Sequence, residues 1–574
     1  MAMTRRECLR QIRAAGIAGL GAAAGAGAVS TLGGCGEDAA LETQPKPAGK
    51  KTAHVPRRPN VLYIMSDDHT AQAIGAYGGR LARLNPTPTI DRLASEGMLF
   101  ANVFCANSIC TPSRANIMTG QQCQRNGVLD LYGELPPERQ YLSMEMRKAG
   151  YATAMIGKWH LRADPATFDY WCIMPGQGEY FDPVLYTNDG GEPGKVRLDS
   201  TLIKEANVRR FKGHSTDVIT DLALAWLKEK RPADKPFFCM LHFKAPHDMF
   251  EHHPRYNDYL GDTEIPEPDN MYDQPAGDFG SVATRGANDE LIHVIGSSVS
   301  KRMTSRNMGK HMKVDPGLSD REYTHQAYQR YLKKYLRCVK GIDDNLKRVF
   351  GYLEQAGLMD DTVIFYAGDQ GLFLGEHDFI DKRWMYEEAM RMPLLARYPK
   401  LIKPGRRNDW LINNTDFAPT ILDLAGVRTP DYMQGRSFMP ALAGQPKPRD
   451  WRTATYYRYW MHMAHGHNNP AHFGLRTDRY KLIFFYGCDF TDIHAGKPVK
   501  GQGGNRYHVN TPVAWEFYDL AEDPGEMHNR YGLARYKDTI ADLKRQLKKL
   551  REDLDETDEK YPRIARIIQE HWGD

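Results

Sequence analysis

The stretch Cys110-Thr-Pro-Ser-Arg114, continued as Ala-Asn-Ile-Met-Thr119-Gly120, puts a thiol where a helix starts. Thr111 is placed to cap the first turn, and Pro112 suits the first helical position, where no backbone N–H is needed. The free N–H groups of such a turn, with the positive end of the helix dipole, favour an anion. Arg114, four residues after Cys110, adds a forked cationic donor suited to a tetrahedral oxyanion. The stretch reads as a reactive residue facing an anion site. Its plain alternative is a structural cysteine at a helix end. Asp67, Asp68 and Asp369 are the other residues with concentrated chemistry. Three carboxylates brought close together need a cation, because like charges otherwise protonate or repel. Oxygen-only donors point to a hard ion, Ca²⁺ or Mg²⁺. An Asp pair alone is also a common turn or helix cap.

The elements around these residues follow an α/β pattern. Val61–Met65 is a short apolar run, as expected of a buried parallel strand, and it ends at Ser66-Asp67-Asp68. Ala152–Ile156 ends at Gly157-Lys158-Trp159-His160, Pro236–Phe243 at Lys244-Ala-Pro-His247, and Thr362–Ala367 at Gly368-Asp369-Gln370-Gly371. Met392–Tyr398 reads as one more strand. Chemically capable residues thus follow apolar strands four times over. In open α/β sheets the site lies beyond the carboxyl ends of the strands, so four distant stretches can converge on Cys110. Helices are expected over Asp91–Gly97, Tyr141–Ala149, Thr216–Glu229 and Tyr323–Gln355, the last with apolar residues at Leu332, Leu336, Val339, Leu346, Val349 and Leu353. Asp269–Lys313 lacks periodicity and reads as an insertion bordering the site or a surface loop. From about Arg449 the texture changes to strands at Thr453–Trp460, Phe473–Arg476, Tyr480–Tyr486 and Trp515–Leu520, then a charged helix over Tyr536–Glu556.

The pattern Cys-x-Pro-Ser-Arg followed by Thr-Gly resembles the signature of type I sulfatases, and the resemblance runs from Arg58 to about residue 530. It implies an alkaline-phosphatase-like α/β fold with a central, mostly parallel sheet flanked by helices and a smaller C-terminal α+β subdomain. It also implies that Cys110 is oxidised to formylglycine by a formylglycine-generating enzyme, the hydrated aldehyde being the nucleophile. Asp67, Asp68, Asp369 and the residue at 110 map onto the family's metal site, which the resemblance assigns to calcium over magnesium. The fourth protein ligand there is commonly Asn or His; here it is Gln370, a neutral oxygen donor one methylene longer than Asn. Lys158 and Lys382 match the lysines that hold sulfate. His160 matches the histidine that contacts the formylglycine hydroxyl, and His247 the general acid for the leaving oxygen. With Arg114 these form the expected catalytic set.

Phe168-Asp-Tyr-Trp171, Pro175-Gly-Gln-Gly178-x-Tyr180, Asp369-Gln-Gly-x-x-Leu-Gly375-Glu-His377 and Phe473-Gly-Leu-Arg-Thr-Asp-Arg-Tyr480 look like the subset acting on sulfated glycans, N-acetylglucosamine-6-sulfatase-like enzymes included. An aromatic and histidine cluster, Tyr456 to His472, supplies His462 and His472 as candidate sugar contacts, with sheet packing as the even alternative. The rival activities are a phosphonate or phosphodiester hydrolase of the same superfamily and an inactive exported glycan-binding protein.

At 574 residues the chain is long enough for a large core. Its net charge of +4 does not imply nucleic acid. Nine cysteines without a Cys-x-x-Cys pair argue against a zinc ribbon or a dense disulfide framework. Bridging Cys105 to Cys110 would consume the nucleophile. Thr4-Arg5-Arg6-Glu7-Cys8-Leu9 before a small-residue run resembles a bacterial twin-arginine export signal, and Leu32-Gly33-Gly34-Cys35 a lipobox. Residues 1–35 are therefore expected to direct export to the periplasm or cell envelope, with a lipid on Cys35 as the only membrane attachment. A linker over 36–57, a catalytic domain over 58–448 and a C-terminal subdomain over 449–574 complete the expected layout.

Overall fold

The computed structural model describes residues 58–193, 207–272, 278–286, 289–302, 306–491 and 510–574. The expected export signal, Cys35 and the linker lie outside the described residues. The four apolar runs form β1 (Asn60–Asp67), β2 (Ala152–Lys158), β3 (Phe237–Pro246) and β4 (Thr362–Gly368). They are neighbours, all parallel, in the order β4-β1-β3-β2 at the middle of an eleven-stranded sheet. Leu394–Arg397 extends the sheet beyond β4 as an antiparallel strand, and Tyr170–Met174 extends it beyond β2 in parallel.

Residues of β1 alternate between two cores. Val61, Tyr63 and Met65 enter one, and Leu62 and Ile64 the other. Burial on both faces is why these strands read as unbroken apolar runs. The first core takes α1 (Cys110–Thr119). The second takes α2 (Ser215–Ala225) and the long α3 (Asp320–Gln355), whose six expected apolar positions are all buried.

The start of α1 corrects the expected cap. Extended Ile109 precedes the helix, Cys110 is its first residue, and Pro112 is its third. Thr111 caps nothing: its Oγ1 is buried without a hydrogen-bond partner. Pro112 still costs no helical hydrogen bond, because first-turn N–H groups have no acceptor within the helix. The helix stops at Gly120, which takes the left-handed conformation that glycine adopts without strain.

Beyond Arg449, β5 (Ala454–Tyr459), β6 (His472–Thr477), β7 (Tyr480–Phe485) and β8 (Ala514–Asp519) form an antiparallel sheet in chain order. On it packs α4 (Lys537–Asp553) through Ile540, Leu543 and Leu547. The change of texture is real, yet both sheets belong to one compact unit. β5 braces the reactive stretch. The Arg458 N–H donates to the Ala106 carbonyl at 2.9 Å, and Tyr457 and Ser108 share a hydroxyl hydrogen bond. Ser108 Oγ also accepts the Arg383 N–H at 3.1 Å, so the approach to Cys110 and the loop bearing Lys382 share one support.

Candidate active site

Each central strand delivers its terminal residues to one place. At the end of β1 the register with β3 shifts between Ser66 and Asp67, and Asp68 takes a left-handed conformation with φ 65°. Tyr335 of α3 fixes that turn: its hydroxyl donates to the Asp68 carbonyl at 2.8 Å and accepts the Thr70 N–H at 3.1 Å. Asp369, just past β4, accepts the Asp68 N–H at 3.1 Å. Carboxylate oxygens of Asp67, Asp68 and Asp369 lie within 4.8 Å of one another, and all three residues are buried.

Buried charges of one sign need partners of the other. Arg114 donates to Asp369 Oδ2 from Nε at 3.1 Å and from Nη2 at 3.0 Å, and its Nη2 stands 3.6 Å from Asp67 Oδ1. Lys158 Nζ contacts the Asp67 carboxylate, and Lys382 Nζ the Asp68 carboxylate. Burial pushes the Asp68 carboxyl up to about 6 against the pull of Lys382. Burial acts the same way on Asp369, but Arg114 and Lys382 prevail and hold it below its usual value.

Cys110 faces this cluster, with Sγ 3.2 Å from Asp67 Oδ1 and 3.9 Å from Gln370 Nε2. Burial pushes its thiol up to about 12, Lys382 opposing. A thiolate is therefore scarce near neutrality, and the unmodified thiol is a poor nucleophile. Gln370 donates through Nε2 to Asp68, while its Oε1 is buried without a hydrogen-bond partner. Three carboxylates and one orphaned amide oxygen are the donor set that a hard divalent cation takes. The residues present fit such an ion.

Two histidines flank the cluster. His247 Nε2 lies 3.6 Å from Asp68 Oδ2. His160 has a left-handed backbone, and its buried Nδ1 lacks a hydrogen-bond partner. Burial, then Lys158, Arg114 and His247, push His160 well below its ordinary value. Burial, then Lys158, Lys382 and Lys244, do the same to His247. The structure thus gathers Cys110, Arg114, Asp67, Asp68, Lys158, His160, His247, Asp369, Gln370 and Lys382.

His462 and His472 are placed otherwise, and neither presents a ring at the surface. His472 stacks near Tyr457 at 5.6 Å and Trp384 at 6.0 Å, and His462 Nδ1 accepts the Ala471 N–H at 3.0 Å. His472 opens β6, and His462 lies in the link between β5 and β6. Sequence reasoning assigned no site role to Gln177 or Lys244. Gln177 Oε1 accepts from Lys158 Nζ at 2.6 Å, and its carbonyl accepts from Lys244 Nζ at 3.1 Å. The signal for Lys244 was its place at the end of β3, directly before Ala-Pro-His247.

The chain is similar to known proteins. The sulfatase family model matches residues 59–427, and the model of the N-sulphoglucosamine sulphohydrolase C-terminal region matches 375–494 and 489–553. An N-acetylglucosamine-6-O-sulfatase of Bacteroides thetaiotaomicron is 38% identical over 88% of this chain and 87% of its own. A solved structure described as in complex with its substrate D-glucosamine-2-N,6-O-disulfate is 34% identical, with a TM-score of 0.70 over 88% of this chain and 99% of that one. The phosphonate monoester hydrolase of Agrobacterium radiobacter, 20% identical with a TM-score of 0.62, shares the fold. Fold and site define an alkaline-phosphatase-like α/β hydrolase. The chain belongs to the sulfatase family, and it is a sulfatase.

Proposed function

We propose that this sulfatase removes the 6-O-sulfate of a glucosamine-type residue in a sulfated glycan, through a formylglycine made from Cys110 and a divalent cation, calcium before magnesium. The observation that carries the substrate is the 38% identity, over 88% of the chain, to a relative named for that activity. The glucosamine disulfate of the 34% identical structure supports the same class. Formylglycine is supported by the intact Cys-x-Pro-Ser-Arg stretch and by burial that pushes the thiol up, away from the thiolate form. A formylglycine-generating enzyme is then the maturation partner. The twin arginines and Cys35 support a periplasmic or envelope location, with lipid attachment at Cys35.

When bound, the cation supplies Lewis acidity to the nucleophile and to a sulfate oxygen, and the hydrated aldehyde supplies an oxygen nucleophile with a second hydroxyl through which sulfate can depart. Asp67, Asp68, Asp369 and Gln370 would hold the cation. Three carboxylates face Arg114, Lys158 and Lys382, so a divalent ion leaves the site net positive toward a sulfate monoanion. Lys158, Lys382 and Arg114 stabilise charge on the transferring group. His247 Nε2 gives a proton to the sugar oxygen, and His160 takes one when sulfate is released. The test is a panel of glucosamine 2-N-, 3-O- and 6-O-sulfates, free and within oligosaccharides. Sulfate release from the 6-O position is expected, and selective release from another position would refute the assignment.

A further inference from the structure

An acid that protonates a sugar oxygen must be held with one nitrogen toward that oxygen and must carry a positive charge when it acts. His247 sits among Lys158, Lys382 and Lys244, all of which oppose that charge. Its other nitrogen, Nδ1, faces two acceptors: Asp248 Oδ1 at 2.5 Å and the Asp248 carbonyl at 2.8 Å. Neither acceptor carries a proton to give, so Nδ1 holds the hydrogen and Nε2 is left to the site.

The Asp248 carboxylate is itself held. Arg306 contacts its Oδ2 through Nη2, while Nη1 donates to His467 Nε2 at 2.8 Å. That bond fixes the tautomer of His467, whose Nδ1–H donates to Asp381 Oδ2 at 2.8 Å. Asp381 Oδ1 lies 3.9 Å from Lys382 Nζ, and Lys382 contacts Asp68. This line runs from His247 through Asp248, Arg306, His467 and Asp381 to Lys382, with the neutral His467 ring between the Arg306 and Asp381 charges. Arg306 comes from the aperiodic stretch 269–313, expected as an insertion bordering the site or a surface loop. Asp248 and Arg306 are partly exposed, whereas His467 is sealed.

We propose that Asp248, clamped by Arg306, is the positioning residue of His247: it holds the hydrogen on Nδ1 and fixes the ring with Nε2 toward the leaving oxygen. The proposal rests on the reading of His247 as leaving-group acid. No bond changes at Asp248; the proton that moves is the one on His247 Nε2.

The test compares kcat and KM on a 6-O-sulfated glucosamine, whose alkoxide needs a proton, with those on nitrophenyl sulfate, whose phenolate needs little. Asp248→Asn and Arg306→Gln are measured beside His247→Ala, with melting temperatures for each. Asp248→Asn is expected to lower kcat on the sugar roughly tenfold to a hundredfold more than on nitrophenyl sulfate, with KM little changed. Arg306→Gln should show the same selectivity to a smaller degree, and Asp248→Glu should restore part of it. Equal losses on both substrates for Asp248→Asn and Arg306→Gln, while His247→Ala remains selective, would overturn the positioning role alone. Equal losses for His247→Ala would overturn the acid reading and this proposal with it. If Asp248→Asn does not fold, the selectivity of Arg306→Gln decides.

Discussion

Asp369→Asn probes the metal site and its charge balance together. In the wild type, Asp369 Oδ2 takes two donors from Arg114 and Oδ1 takes the Asp68 N–H. An Asn in that place must turn its NH₂ toward one of these donors, and it leaves the buried Arg114 charge without its main partner. Breaking a buried pair in this way costs about 3–5 kcal/mol. A cation at a hundred times its dissociation constant stabilises the wild type by about 2.7 kcal/mol. For about 500 folded residues the unfolding entropy is on the order of 1 kcal/mol per degree, so chelation should lower the wild-type melting temperature by roughly 3 °C. The variant should melt about 3–5 °C below the chelated wild type and should not respond to chelator. Thermal melts with and without chelator, then with calcium restored, measure each quantity. A variant that keeps the full wild-type response to chelation and calcium would refute the place of Asp369 among the ligands and the arithmetic built on it.

Four further outcomes are expected. Cys110→Ala should melt near the wild type yet lack turnover, and peptide mass spectrometry of active enzyme should find the aldehyde at 110; active protein holding only the thiol would contradict this. Glu556, buried against the start of Gln124, has its carboxyl raised from 4.5 to about 7, chiefly by burial. A raised carboxyl stabilises the fold fully below 4.5 and loses that contribution as pH rises through about 7, on the order of 3 kcal/mol. Glu556→Gln should therefore flatten the fall in melting temperature over that window, and an unchanged profile would contradict it. His160→Ala should slow sulfated sugar and nitrophenyl sulfate alike, because sulfate release is common to both; a loss on the sugar only would reassign it. Replacing Arg5 and Arg6 by Lys should leave the protein in the cytoplasm, and its arrival in the envelope would point to another export route.

The legible part of the site was the part tied to strand ends. β1, β2, β3 and β4 announce themselves as apolar runs because both faces are buried, and the polar residues that follow must then meet at one sheet edge. Gln370 also stood at the expected place, and only the structure showed its orphaned Oε1. Arg306 was illegible because it reaches Asp248, beside His247, from an aperiodic insertion, where no periodicity fixes the position of a side chain. For His462 and His472 the sequence left sugar contact and sheet packing even, because a histidine among aromatic residues has the same signature in a sugar cleft and in a packed layer; both rings are buried. Thr111 failed as a cap because the extended backbone at Ile109 starts the helix at Cys110, two residues earlier than a cap at Thr111 would.

Cys110→Ser tests the central claim most directly. A serine hydroxyl at that place can attack the sulfur of a 6-O-sulfated glucosamine once, with the sugar oxygen leaving protonated, but it has no second hydroxyl through which to expel sulfate. The account predicts one equivalent of desulfated sugar per enzyme, no further turnover, and a mass gain of one sulfate group on the peptide spanning position 110. Sustained turnover by this variant would show that sulfate does not pass through position 110. A variant that binds the sugar and retains its fold, yet gives neither the burst nor the sulfated peptide, would contradict the account just as plainly.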